Sequence, residues 1–145
     1  MKLKEKGKII PPPELSKYCE IVSKEIQQLP EIISATHWEI LDRNKPNGAD
    51  FYFGELELGH IHLDGLLHIP FTQEFSLALI AKGLAKKFPY AVNWIQFKIV
   101  DQESANHATW LFKLHYNNLN DTDKIKLFQS ISDYKEENNT TFGDA

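Results

Sequence analysis

The chain has 145 residues, 42% hydrophobic and 25% charged, with a formal net charge of −4 and an isoelectric point near 5.8. That length suits one domain with a proper core, and the acidic balance speaks against a nucleic-acid partner, which needs a basic face. The single cysteine, Cys19, excludes an internal disulfide framework, and no apolar run approaches the length of a membrane span.

The opening MKLKEKGK is charged and runs into Pro11-Pro12-Pro13 rather than an apolar stretch. It does not read as a signal peptide, so the expected compartment is the cytoplasm. Residues 1–12 are expected as a flexible tail. Leu15, Tyr18, Cys19, Val22, Ile26 and Leu29 recur at helical spacing, which predicts a first helix from Glu14 to Leu29, ended by Pro30. Cys19 falls on its apolar face, as an inert thiol would. Ile33 to Asp42 reads as a strand with Trp38 and Ile40 on one face and His37 and Glu39 on the other. The segment from Arg43 to Asp50, RNKPNGAD, reads as a loop in which Asn47-Gly48 favours a reversal. A long strand from Phe51 to His62 follows, with Gly54 marking a bulge or bend.

Within that strand, side chains alternate. Leu56, Leu58, His60, His62 and Asp64 share one face; Glu55, Glu57, Gly59, Ile61 and Leu63 share the other. Asp64-Gly65 supplies a tight turn, Leu66 to Ile69 returns as a strand, and Pro70 ends it. Two registers fit. A two-residue turn puts His62 opposite Leu67 and turns His68 away. A three-residue loop Leu63-Asp64-Gly65, with Gly65 in a left-handed conformation, puts His60 opposite His68.

Thr72 caps a helix predicted to run to Lys82, with Gly83 just past its end. Lys86 to Asn93 is a connector, and Trp94 to Val100 a fourth strand. Asp101 caps a helix running to about Asn117, and Asp121 caps a last helix with Ile125, Phe128 and Ile131 facing inward. Residues 135–145 are expected to be disordered. The architecture expected is α+β: a twisted, mainly antiparallel sheet of about four strands with helices packed mostly on one face. The single domain spans 13–134.

The stretch around the turn has the densest run of potential ligands. His60 and His62 are neighbours on one strand face and can hold one divalent transition metal ion if a third ligand joins. The candidate metal set is His60, His62 and Asp64. His68, Glu57, or a residue from another element such as His37 are the other possible third ligands, with Glu57 ranked lower because it points away unless a bulge intervenes. The plainer reading of these histidines is a polar, hydrogen-bonded or solvated role. His60, His62, Asp64, His68 and Trp94 are the candidate ligand-binding residues, although a tryptophan more often fills a core. His107 and His115 stand more than two helical turns apart, too far for joint ligation. Phosphate-loop and nucleophile-elbow motifs do not occur.

Glu57-Leu58-Gly59-His60-Ile61-His62, Asp64-Gly65 and Pro70-Phe71 together resemble the core motif of the small luciferase domain family. Leu79-Ile80-Ala81-Lys82-Gly83, Trp94-Ile95-Gln96-Phe97 and Leu111-Phe112-Lys113-Leu114-His115-Tyr116 follow in the family's order. The resemblance runs from about Ile33 to Tyr116 and departs at His68, where an acidic residue is common. It implies a small domain and no particular reaction. The flavin-dependent bacterial luciferases are barrels much longer than this 145-residue chain. The expected role is a binding or interaction module, with a homodimer through a sheet edge or face, or a small-molecule ligand, as partner. The alternative is a small-molecule-binding or metal-assisted enzyme built on His60 and His62.

Overall fold

The computed structural model describes residues 3–120 and 122–138. Four helices accompany a six-stranded antiparallel sheet, an α+β arrangement. After a short 3-10 helix, Leu3–Glu5, the order is α1 (Lys17–Gln27), β1 (Ile32–Trp38), β2 (Pro46–Phe53), β3 (Leu56–Ile61), β4 (Leu66–Ile69), α2 (Gln73–Ala81), β5 (Lys86–Lys87), β6 (Ile95–Lys98), α3 (Gln102–Leu119) and α4 (Lys124–Asn138). The strands lie in the order β1-β2-β3-β4-β6-β5.

The expected long strand from Phe51 to His62 is two strands. The chain reverses at Gly54-Glu55, where Gly54 takes φ +62, and Pro46 to Asp50, expected in a loop, is the first half of β2. Asn47-Gly48 does not turn. Gly48 is instead a close approach, because a Cβ there would run into the Ile61 carbonyl. The four expected strands become six because of this extra reversal and the two-residue β5, which pairs with β6 inside the expected connector.

The core side of the sheet is apolar. Phe51, Leu58, Ile61, Leu67, Ile69, Ile95 and Phe97 lie buried against α1 and α3 through Cys19, Val22, Ile26, Leu111 and Phe112. Local chemistry sets the helix ends. The Thr72 hydroxyl accepts from Phe75 N–H, and Asp101 forms a reciprocal capping box with Ser104. Helix α1 is shorter than its apolar period suggests because the prolines before it lie along β1: Thr36 N–H donates to the Ile10 carbonyl, and Thr36 Oγ1 to that of Pro11. These contacts involve part of the segment expected as a flexible tail, and they cover part of the outer edge of β1. Residues 135–138 continue α4; the remaining tail residues 139–145, and the expected cap Asp121, lie outside the described residues. On α4 the inward residues are Leu127 and Ile131, with Phe128 half-buried and stacked on Phe75 at 4.3 Å. Ile125, expected inward, is exposed. Among the described residues no helix is long and apolar enough to cross a membrane.

Candidate metal centre on the polar face of the sheet

The opposite face of the sheet carries the chemistry. The β3–β4 loop is the three-residue one: His62 N–H donates to the Leu66 carbonyl, Gly65 takes φ +94, and His60 pairs with His68. The pairing of β2 with β3 then slips. Phe51 faces Gly59 but Tyr52 faces Glu57, which leaves Leu58 as an extra residue. Leu58 goes into the core, and Glu57 swings onto the face of His60. Beside them β2 brings Asp50, β1 brings His37, and β6 brings Gln96.

The imidazoles form one group. His37 and His60 stack with ring centroids 4.1 Å apart, and His62 meets both edge-on at 4.8 and 4.9 Å. Each of the three offers a ring nitrogen, and these atoms lie within 4.8 Å of one another. The Nδ1 of His68 is 3.1 Å from Nε2 of His60 and 3.1 Å from Nε2 of His62. The edge of a zinc–nitrogen tetrahedron is about 3.3 Å for Zn–N bonds of about 2.0 to 2.1 Å; the His60–His68 and His62–His68 nitrogen pairs are near that edge, and the nitrogens of His37, His60 and His62 lie within 4.8 Å.

Buried acceptors orient the rings. His37 Nδ1–H donates to Asp50 Oδ1 at 2.7 Å, and His60 Nδ1–H donates to Glu57 Oε2 at 2.6 Å. Both bonds leave the Nε2 lone pair free to face the group, the carboxylate–histidine pattern of ligated metals. Glu57 is also clamped by Lys6 at 2.9 Å. At His62 the proton sits differently. Leu63 N–H donates to Asn47 Oδ1, so the Asn47 amide nitrogen, 3.0 Å from His62 Nδ1, donates to it. His62 therefore carries its proton on Nε2 and passes it toward His68 Nδ1. His68 in turn donates from Nε2 to Gln96 Oε1 at 3.3 Å.

Burial favours the neutral form of His60, His62 and His68. Burial pushes the His60 imidazole far below its ordinary value, against an upward pull from Glu57. Burial also lowers His62, to about 4, with His37 adding to the effect, and it lowers His68 against an upward pull from Gln96. Burial raises the Glu57 carboxyl, but the hydrogen bond from His60 and the charge of Lys6 outweigh it and hold Glu57 low. Burial raises Asp50, opposed by His37. Neutral imidazoles with orienting carboxylates are what a borderline metal ion requires.

Of the residues singled out from the sequence, His37, Glu57, His60, His62 and His68 come together. Asp64 does not join them; its exposed carboxylate accepts from Leu66 N–H at 3.0 Å and shapes the turn. The Trp94 ring lies 5.8 Å from that of His60 and 5.9 Å from Phe88, and Trp94 lines a neighbouring cleft with Pro70 and His115. Asp50, Asn47, Lys6 and Gln96 were not anticipated. Only the alternation of Asp50 with Ala49, Phe51 and Tyr52 hints at a strand. Cys19 is buried, and burial raises its thiol pKa. His107 serves packing, bonded to the Leu84 carbonyl at 2.6 Å and the Tyr134 hydroxyl at 2.8 Å.

Residues 55–115 match the family model described as Luciferase domain, and the matched stretch contains β3, β4, the bulge and three of the four clustered histidines. The resemblance read from the motif is thus shown over those residues, while His37, Asn47 and Asp50 come from outside the match. Comparison with curated proteins gives no match, and comparison with solved structures gives none either.

Proposed function

We propose that the chain is a metal-dependent binding domain in which His37, His60 and His62 hold one divalent transition metal ion. The observation that supports this reading is the convergence of three ring nitrogens within 4.8 Å, two of them on rings oriented by buried carboxylates. Nitrogen donors favour zinc, nickel or cobalt over magnesium. His68 Nδ1, 3.1 Å from Nε2 of both His60 and His62, borders the remaining position. Asp50 and Glu57 are each engaged by a histidine, which uses them to orient rings rather than to move a substrate proton. That favours binding over the enzymatic alternative.

Elemental analysis of protein purified without a histidine tag tests this. The parent takes up about one equivalent of zinc or cobalt, and His37→Ala and His60→Ala each abolish uptake. Asp64→Ala leaves it intact. Less than about a tenth of an equivalent in the parent, even after added zinc, overturns the reading.

A further inference from the structure

The histidine group floors a cavity of about 520 Å³ whose mouth carries Ile40, Leu41 and Tyr90 beside Glu39. That volume is in the ordinary range for a small-ligand pocket. Around the mouth stand Ile40, Leu41 and Tyr90, which are 86%, 98% and 85% exposed. Phe88 connects rim to floor, its ring 5.4 Å from Tyr90 and 4.8 Å from His68. Apolar side chains so fully in water beside a polar floor do nothing for the core, and such a grouping marks a contact surface. The charge at the floor points the same way. Lys6 offsets the charge of Glu57, and Asp50 is the other buried carboxylate bonded to a clustered histidine. Glu39, also on the cavity wall, is paired with Lys45 at 3.9 Å, so a divalent ion on these imidazoles leaves a net positive centre.

Resting on the metal reading above, we propose that the pocket takes a carboxylate with an apolar body. Its anionic oxygen ligates the metal, and its body lies along Phe88 and Tyr90 toward Ile40 and Leu41. The head alone gains the charge interaction but leaves the rim in water. The body alone covers the rim but leaves the cation without an anion. Only a molecule carrying both satisfies floor and mouth together.

Calorimetric titration of the cobalt-loaded chain separates these contributions. The probes are acetate for the head, octanol for the body, octanoate for both, and 4-phenylbutyrate as the aromatic arm. Octanoate or 4-phenylbutyrate is expected to bind at least about tenfold more tightly than acetate. It also shifts the visible bands of the cobalt, and octanol does not bind. Ile40→Ser combined with Leu41→Ser brings both long acids down toward acetate while cobalt content stays unchanged, since these exposed side chains do not support the fold. If a chain carrying about one equivalent of cobalt binds neither long acid more tightly than acetate, this inference is overturned and the metal reading stands. Equal binding to the metal-free chain overturns it too. Failure to take up cobalt at all removes the metal reading first, and this inference with it.

Discussion

Glu57 shows how a single side chain can serve both fold and site. It is buried, bonded to Lys6 and to His60, and its negative charge is what keeps the His60 proton on Nδ1. Glu57→Gln can still accept from that N–H but loses the charge, so metal affinity is expected to fall roughly 10- to 100-fold, the usual cost of a lost orienting partner. Competition with a chromophoric chelator measures it, and unchanged affinity would show that the carboxylate does not tune the ring. Asn47 works in the opposite sense. Its amide nitrogen faces His62 Nδ1 and holds the proton on Nε2, the atom that would bind the proposed ion. Asn47→Asp accepts from Nδ1–H instead and still receives Leu63 N–H on its other oxygen. The variant is expected to bind metal about tenfold more tightly; weaker binding would refute this tautomer assignment.

At the scale of elements, the bulge at Leu58 builds the site. It puts two successive residues, Leu58 and Gly59, on the core side and so brings Glu57 round to His60. Gly59 is held there by space as well as by its φ of +155: a Cβ would lie 2.7 Å from Phe112 Cε1 and 2.8 Å from the His68 carbonyl. Gly59→Ala must move α3 or β4, and it is expected to cost at least about 2 kcal/mol in chemical denaturation. A near-neutral effect would mean that the bulge relaxes freely. The starts of α2 and α3 were legible from sequence because capping is local, as Thr72 and Asp101 show. The register of β3 with β4 was not, since Asp64-Gly65 closes either turn length and only the packing of β4 on β6 and the core selects one. The β2–β3 reversal was missed because Asn47-Gly48 is the stronger turn signal, although Gly48 is needed for contact with Ile61. With that reversal misplaced, Asp50 fell in a loop and the carboxylate behind His37 was invisible. Alternation alone also puts Glu57 on the wrong face, because a bulge leaves little trace in a period-two pattern.

Across the whole molecule, burying histidine makes stability depend on pH, even away from the histidine cluster. Burial holds His107 at about 4, opposed only in part by its bond to the Leu84 carbonyl, and it holds His115 at about 4 against a pull from Glu57. An unfolded histidine titrates near 6.5. Between these values the unfolded chain binds more protons than the folded one, so acid favours unfolding. The stability is complete above about pH 6.5 and is lost as pH falls toward 4, each histidine contributing on the order of 3 kcal/mol to the change. That is a large share of a typical domain's 5 to 15 kcal/mol. His107 also ties α3 to the Leu84 segment and to Tyr134 of α4, so its protonation is expected to loosen the helical layer. Urea unfolding of the metal-free chain at pH 7.5, 6 and 5 should show a falling midpoint. In His107→Gln the protein is weaker at pH 7.5, because a bond is lost, but its decline from pH 6.5 to 5 is shallower by up to about one proton. A flat midpoint in the parent, or an undiminished slope in the variant, would show that His107 does not govern acid stability.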